Sequence, residues 1–425
     1  MVDNIRRILF IISYLKEQGI LVDKIVKYNL LEDEDEIILF ITMKDTNCVC
    51  NYCKSNRVVI KEYKTKTIHG LNVGERKCLI EIKFNRMLCK SCNKTFTPHF
   101  MAKQNKFSPS LIKKVLKLCQ KIISYKDIAE ELNISVTSVI NIFDANVPNL
   151  RQPIGDAICI DEFKNVKDPD NKYACVFLDF QTGKIIHILK NRTIEYLRVF
   201  LKKQPKNQLN GVKFFICDMY DGYITIAKEF FPNAKIAIDP FHYMGYFTDA
   251  IQDIRIRLCG KDVDEKPMNS SWINKNWKLL THNYSKKEIR YVNNEDGTVT
   301  DLYEVTYENI KHINELRHSF LMLQDFYSEE EYPPTSIEEA RTLISFTIFK
   351  MLNSEIKELI ECAQTRSHYQ EYISNSFYKI NGRRISNGPI EGTNSRTKTI
   401  KKVHCGYSNQ ERFYERVIYI INSKR

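Results

Sequence analysis

No stretch of this sequence stays apolar over the roughly 20 residues that a helix needs to cross a bilayer. The apolar segment Ile8–Ile12 follows two arginines, as in a signal peptide, but polar residues interrupt it at once. The chain also lacks an even set of cysteines, since it has 13 scattered ones, which argues against a closed disulfide framework. These absences predict a cytoplasmic protein with no membrane partner.

Acidic residues are scarce in two segments, although the whole chain has a net charge of only +12. Residues 50–126 contain 18 lysines and arginines against three glutamates, and residues 379–425 contain 11 against three. Two basic segments on an otherwise acidic chain are the pattern expected of a protein that binds a polyanion. Because the first excess is larger than solubility requires, we predict double-stranded DNA as a partner.

Four of the cysteines have metal-ligand spacing. Cys50-x-x-Cys53 and Cys89-x-x-Cys92 would supply the four thiolates of one structural Zn²⁺. Alternating segments between the pairs, Arg57–Ile60, Cys78–Ile82 and Phe84–Leu88, predict the strands of an elongated zinc ribbon. One alternative is that the four cysteines are buried and reduced without binding a metal. Another is that Cys48 competes with them as a zinc ligand. A closed site of this kind folds a small domain and does no catalysis.

Residues 107–143 predict a helix followed by a helix-turn-helix. Ser108-Pro109 is a start signal for the first helix, and the turn of the pair falls at Asn133-Ile134, with Ser135 capping the last helix. The positions expected to point inward are Ile128, Ala129 and Leu132. The side chains expected to reach a major groove are Thr137, Ser138 and Asn141. The alternative is a plain helical hairpin.

The chain changes character after residue 151. Two apolar strands end in acids, at Asp161 and Asp218, and the element order is three antiparallel strands, then helix, strand, helix and strand. That order is typical of an RNase H-like α/β fold, in which the two acids lie on neighbouring strands. Fold alone does not fix function, but the position of the acids is informative.

A late segment, Asn387–Lys402, predicts a helix that completes this set. Pro389 fits a first helical turn, where Glu391 is also favoured by the helix dipole. Asn394 or Ser395, Lys398 and Lys402 then fall near the face of Glu391. An acid followed by donors and cations suits a phosphate chain beside a metal ion. The alternative is a solvated basic helix.

Three carboxylates around one point repel each other unless cations lie among them. Asp161, Asp218 and Glu391 therefore predict two Mg²⁺ or Mn²⁺ ions that promote phosphoryl transfer. The rival acids that also flank strands are Glu162, Asp179, Asp221 and Asp239. Asp239, in Asp239-Pro-Phe-His242, is the strongest rival, and it and His242 are expected to support the site or to contact DNA.

The predicted fold class is multidomain α+β: a zinc ribbon and a helix-turn-helix, then an RNase H-like α/β catalytic domain interrupted by a helical insertion. The predicted segments are a helix-and-strand lead (1–46), the zinc ribbon (47–100), the helix-turn-helix (101–150), the first part of the catalytic core (151–260), the helical insertion (261–379) and the C-terminal helices of the core (380–425). Within the insertion, periodic runs predict helices at Tyr307–Phe326 and Ile337–Leu352, and we expect its two tryptophans, Trp272 and Trp277, to be core residues.

Several motifs resemble one known family. In order they are Cys89-Lys-Ser-Cys-Asn-Lys-Thr-Phe96, Ile160-Asp-Glu162, Asp218-Met-x-x-x-Tyr223, Asn233-Ala-x-Ile-x-x-Asp-Pro-Phe-His242 and Ile390-Glu-Gly-x-Asn394, followed by Lys398, Lys401 and Gly406-Tyr407. They are similar to those of the ISL-three family of bacterial insertion-sequence transposases, a DDE-type group. The resemblance covers roughly residue 50 to the end and implies that Asp161, Asp218 and Glu391 are the DDE acids.

The function that the resemblance implies is DNA transposition. The protein would bind the terminal inverted repeats of an insertion sequence as a homodimer at the bacterial nucleoid, cleave strands and join them to target DNA. The expected DNA contacts after Glu391 are Asn394, Arg396, Lys398, Lys401 and Lys402. Two alternatives are a catalytically idle DNA-binding regulator derived from a transposase and an RNase H-like nuclease.

Overall fold

The structure is a computed structural model of the 425-residue chain. It describes residues 2–43, 49–97, 106–166, 172–285, 291–293, 297, 299–331, 334–404, 407 and 409–423. Cys48, Pro333 and Gly406 lie outside the described residues. The chain divides into two compact units, one made of residues 1–150 and 397–424 and the other of residues 151–396. Within the described ranges, no helix has both the length and the apolarity to cross a membrane.

An N-terminal sheet opens the first unit. Its elements are α1 (Val2–Glu17), β1 (Ile25–Glu32), β2 (Glu36–Met43), β3 (Val58–His69), β4 (Lys77–Cys89) and β5 (Thr95–Phe96). The strand order is β1-β2-β4-β3, with β5 paired to β4. The segments Cys78–Ile82 and Phe84–Leu88, predicted separately, are one strand, because pairing with β3 continues through Lys83, although the alternation of buried residues shifts by one position there. Since β2 pairs with β4, strands from both sides of residue 46 share this sheet.

Three helices follow in the first unit: α2 (Pro109–Cys119), α3 (Tyr125–Glu131) and α4 (Val136–Asn146). Ser108, Ser124 and Ser135 each cap one helix by accepting a backbone N–H. Asn133 takes a positive φ of 51° in the turn between α3 and α4. The predicted inward positions Ile128, Ala129 and Leu132 are buried. The helices, the turn at Asn133 and the Ser135 cap therefore lie where the sequence predicted them, and their role as a DNA-binding helix-turn-helix stays a prediction.

The second unit is built on a five-stranded sheet of order β10-β9-β6-β7-β8. The strands are β6 (Ala157–Lys164), β7 (Tyr173–Asp179), β8 (Ile185–Leu189), β9 (Phe214–Cys217) and β10 (Lys235–Ile238), with α5 (Ile194–Leu201), α6 (Lys206–Gly211) and α7 (Asp221–Phe230) between them. β6, β7 and β8 pair antiparallel, whereas β9 and β10 run parallel to β6. Strand β6 does not end at Asp161 as predicted, because buried Phe163 continues its apolar side.

The helices after β10 are α8 (Pro240–Cys259), α9 (Ser270–Lys275), α10 (Leu302–Ile310), α11 (Asn314–Glu331), α12 (Ile337–Leu352), α13 (Lys357–His368) and α14 (Gln370–Asn375). Two short hairpins accompany them, β11 (Tyr291–Asn293) with β12 (Val299–Asp301) and β13 (Lys379–Ile380) with β14 (Arg383–Arg384). The predicted single helix Tyr307–Phe326 is interrupted at residues 311–313. Trp272 packs against the core, but Trp277 is 42% exposed, so its predicted core position is wrong.

Two helices end the chain, α15 (Gly388–Val403) and α16 (Gln410–Asn422). The boundary between the two units falls within α15. Helix α16 packs on the α2–α4 helices of the first unit: Tyr419 joins their core, and the guanidinium of Arg412 binds the Asp144 carboxylate at 2.6 Å. This differs from the predicted segment 380–425, which grouped α16 with the catalytic core.

Candidate functional site

Three aspartates lie in register across the parallel strands of the second unit. Cys159 on β6 is aligned with Ile216 on β9, and Cys217 on β9 with Ile238 on β10. Continuing the same register places Asp161, Asp218 and Asp239 opposite one another at the carboxyl ends of β9 and β10. The sequence predicted that Asp161 and Asp218 would be neighbours. The structure adds Asp239 to the row.

Helix α15 meets this row through two asparagines. The Asn387 side-chain amide donates to Asp218 Oδ1 at 2.9 Å, and its backbone N–H donates to Asp239 Oδ1 at 2.6 Å. The Asn394 amide donates to Asp161 Oδ2 at 2.7 Å. Asn387, Glu391 and Asn394 are spaced by four and three residues, so they fall on one face of the helix. Each aspartate in the row is thus bonded to the start or the first two turns of α15.

Glu391 lies on the same helix face, in the first turn. Its charge acts on Asp239 and helps to raise the pKa of that carboxyl, after the larger effect of burial. Among the described groups of possible metal ligands, the acids are not drawn as close together as the four cysteines are. No described lysine or arginine forms an ion pair with Asp161, Asp218 or Glu391. Asp161 and Asp218 instead accept hydrogen bonds from the Asn394 and Asn387 amides, and His242 lies against Asp218.

The electrostatics of the row favour a cation. Burial first, and then the neighbouring Asp218 charge, raises the pKa of Asp161 to about 7. His242 Nε2 lies 2.9 Å from Asp218 Oδ1, and that hydrogen bond raises the pKa of His242. A site that raises the pKa of an acid and of a base together has an excess of negative charge. Oxygen ligands of this kind suit Mg²⁺ or Mn²⁺.

The rival acids have structural partners. Arg192 binds Glu162, and Asp179 accepts the hydroxyl and backbone N–H of Thr182 within a turn. Asp221 accepts the Tyr369 hydroxyl at 2.9 Å. Asp239 is 2% exposed; one oxygen receives the Asn387 N–H and the other has no hydrogen-bond partner. Of the four rivals, only Asp239 therefore lies in the acidic row.

The predicted DNA contacts fall into two groups. Asn394 is buried and its amide donates to Asp161, and its predicted contact with DNA stays a prediction. The other predicted DNA contacts, on α15 and α4, are accessible to solvent. Five of them are exposed: Arg396, Lys398, Lys402, Thr137 and Asn141. The remaining two, Lys401 and Ser138, are half-buried. The sequence missed the role of both asparagines, although their spacing about Glu391 was a usable signal.

The four cysteines of the first unit form a separate, compact cluster. The Sγ atoms of Cys50, Cys53, Cys89 and Cys92 lie within 4.8 Å of one another, and no disulfide joins them. The pairs Cys50–Cys92 and Cys53–Cys89 are 3.6 and 3.5 Å apart, near the roughly 3.8 Å between sulfurs on a tetrahedral zinc ion. The donor set and its spacing therefore fit Zn²⁺.

The two cysteine loops share one backbone design. Cys50 N–H donates to Ser55 O at 2.8 Å, and Cys89 N–H donates to Lys94 O at 3.0 Å, each five residues on. Lys54 and Asn93, directly after the second cysteine of each pair, have positive φ values of 60° and 55°. Burial opposes ionisation of Cys89, but backbone N–H donors lower its pKa to about 6. The loops are thus shaped to aim thiolates at one point.

With this geometry in view, the chain can be compared with known proteins. A family model described as Transposase, that of the ISL3-type DDE transposases, matches residues 158–417. The chain belongs to this family. It is also similar to the Transposase for insertion sequence element IS1001 from Bordetella parapertussis, with 21% identity over 239 residues. That alignment covers 55% of this chain and 58% of the relative, so the chain spans little more than half the length of the relative.

In this member of the transposase family, the matched residues contain the whole acidic row and Glu391. They begin after the cysteine cluster and the helices α2–α4. The family match therefore bears on the second unit and on the C-terminal helices, while the N-terminal features rest on their own geometry.

Proposed function

We propose that this protein is a DDE transposase that binds the terminal inverted repeats of an insertion sequence and catalyses metal-dependent strand cleavage and strand transfer. The observation that carries the proposal is the row of aspartates tied to the face of α15 that bears Glu391. Family membership supports the reaction class. The sheet, three antiparallel strands followed by two parallel ones, supports an RNase H-like catalytic fold.

In this proposal Asp161, Asp218 and Glu391 hold the metal ions. Bound Mg²⁺ or Mn²⁺ would activate the attacking water or hydroxyl and stabilise the leaving 3′-oxygen. Asn394 and Asn387 hold the carboxylates of Asp161 and Asp218 in fixed orientations. Asp239 fixes the first residue before α15 through the Asn387 N–H, and thereby the helix that carries Glu391. These residues act by positioning, which is most of what phosphoryl transfer requires of a protein.

Metal binding should depend on pH through Asp161. Its pKa is about 7, so below that pH a proton must leave before a metal ion can bind. We expect the Mg²⁺ concentration for half-maximal cleavage to rise about tenfold for each pH unit below 7 and to level off above it. Cleavage of a labelled terminal-repeat duplex, titrated with Mg²⁺ from pH 5.5 to 8.5, measures this. A constant Mg²⁺ requirement across that range would contradict the proposed role of Asp161.

DNA recognition is proposed for the first unit, where helix α4 would enter a major groove. Thr137, Ser138 and Asn141 lie on its first two turns, and the basic segment 50–126 precedes it in the same unit. The exposed cations of α15, Arg396, Lys398 and Lys402, would contact the backbone of the DNA. Family resemblance further supports a homodimer on DNA in the cytoplasm, with target DNA as a second nucleic-acid partner.

Replacing Thr137, Ser138 and Asn141 together by alanine should weaken binding to the terminal repeat by about 10- to 100-fold and non-specific binding far less. Contacts to base edges discriminate by about 1–3 kcal/mol each, whereas phosphate contacts carry no sequence information. The measurement is anisotropy of labelled repeat and scrambled duplexes over a range of salt concentrations. Lys113→Ala, which removes an exposed charge from α2, is the control and should affect both duplexes equally. Equal losses for the triple variant would show that α4 does not read bases.

A further inference from the structure

An exposed aromatic ring lies beside the acidic row. Phe241 is 72% exposed, although it lies in the first turn of the 20-residue helix α8. It is two residues after Asp239, and its ring meets that of His242 at 5.9 Å in an edge-to-face arrangement. His242 in turn bonds Asp218. Phe241 is therefore one side chain away from an acid proposed to hold metal.

A second aromatic occupies the equivalent place after the neighbouring strand. Tyr220 lies two residues after Asp218, just as Phe241 lies two residues after Asp239, and it is 45% exposed. Tyr220 is the residue before α7, and Asp239 is the residue before α8. Strands β9 and β10 are parallel, so the segments that follow them leave the same edge of the sheet. Exposed apolar side chains are common singly and mean little alone. Two exposed aromatics at the edge that carries the acids are a more specific observation.

Two of the acids proposed to hold metal, Asp161 and Asp218, are partly buried, whereas Glu391 is exposed. The Asp218 side chain is 19% exposed, and burial is the largest cause of the raised pKa of Asp161. A scissile phosphate can reach these partly buried carboxylates only if its strand bends away from the duplex, which disturbs the neighbouring base step. Unstacking a base costs a few kcal/mol, and stacking it on an aromatic ring returns about 1–3 kcal/mol.

We propose that Phe241 is a stacking platform for one DNA base that leaves the duplex next to the scissile phosphate. Phe241 follows directly on the N-cap Asp239 and Pro240, so its ring is held at the start of α8, next to the acidic row. The inference deepens the proposed transposase function and rests on it. Phe241 would determine which strand position is presented to the acids.

The test is cleavage of a labelled duplex that carries the terminal repeat found in the DNA flanking the gene. Phe241→Ala should slow cleavage by about 5- to 150-fold, the rate equivalent of the stacking energy. Phe241→Trp should keep the wild-type rate within about threefold, since indole also stacks. Phe349→Ala is the matched control, because Phe349 on α12 is 62% exposed, and it should cut like the wild type.

A set of duplexes, each lacking one base near the cleavage position, then separates stacking from other contacts. At the position whose base stacks on Phe241, the wild type and Phe241→Ala should cut at equal rates, because there is no base to stack. At every other position the full difference should remain. A difference that persists at all positions, or a tryptophan variant as slow as the alanine variant, would overturn the proposal.

Failure of the proposed transposase function and failure of the stacking platform give different results. A wild-type protein that cuts none of these duplexes refutes the transposase function, and this inference with it. A wild-type protein that cuts, together with a Phe241→Ala variant that cuts equally fast, refutes only the stacking platform.

Discussion

Asp161→Asn, Asp218→Asn and Glu391→Gln should each slow strand cleavage in Mg²⁺ by about a thousandfold or more, while binding to the terminal repeat changes little. Each amide keeps the shape and polarity of the side chain but removes the charge that would hold a metal ion. Because the three act through shared ions, double variants should be no slower than single ones. Nicking of a labelled repeat duplex in Mg²⁺ or Mn²⁺ measures the effect.

The same variants also show whether a loss of activity comes from misfolding. The pKa of Asp161 is raised to about 7, so its charged form is unfavourable in the folded protein above that pH. Asp161→Asn removes that charge and should therefore melt no lower than the wild type at pH 8. Asp239→Asn, which alters the carboxylate that receives the Asn387 N–H, should be the milder change in activity. If Glu391→Gln cuts at the wild-type rate while Asp239→Asn does not, the choice of acids is wrong.

Cys89→Ser should remove zinc and unfold the N-terminal sheet. Cys89 is the last residue of β4, and Val58 begins β3 just after the other cysteine loop, so the cluster closes the open end of the β3–β4 pair. Structural zinc supplies about 10–16 kcal/mol in small zinc domains, which is comparable to the whole stability of a typical domain, about 5–15 kcal/mol. We expect about one zinc per chain in the wild type, none in the variant, and loss of DNA binding with it.

Cys78→Ser is the matched control for this prediction. Cys78 lies on the same strand, is equally buried, and takes no part in the cluster, so its variant should keep its zinc. Metal analysis and limited proteolysis of both variants decide the point. A Cys89→Ser protein with an intact, protease-resistant N-terminal sheet would rule out a structural role for the metal.

Strand-based features of the site could be predicted from the sequence. Asp161 and Asp218 each follow an apolar run, and parallel strands bring such positions together whatever the loops between them do. Short-range sequence patterns likewise predicted the two cysteine pairs and the residues that cap α2 and α4. These predictions succeeded because each rests on a spacing of a few residues.

The contacts made by α15 could not be predicted in this way. Asn387 bonds Asp218 and Asp239 from just before the helix, and that depends on how the chain returns after α14 and the β13–β14 hairpin. Likewise, the amphipathic pattern of α16 shows that one face is buried but not which partner buries it. The exposure of Trp277 and of Phe241 was missed for the related reason that hydrophobicity alone does not tell a core residue from a binding residue.

Because α16 packs on α2–α4, the core of these helices is completed only late in the synthesis of the chain. Arg416 is fully buried and donates to the carbonyls of Lys121 and Ile123, and Asn422 donates to Leu150 O at 2.8 Å. A ribosome delivers α2–α4 long before these last residues exist, so the nascent chain carries those helices with an unfinished core. A variant without α16 would lack Tyr419 and Arg416 in this core, and the helices proposed to read DNA should then be less stable.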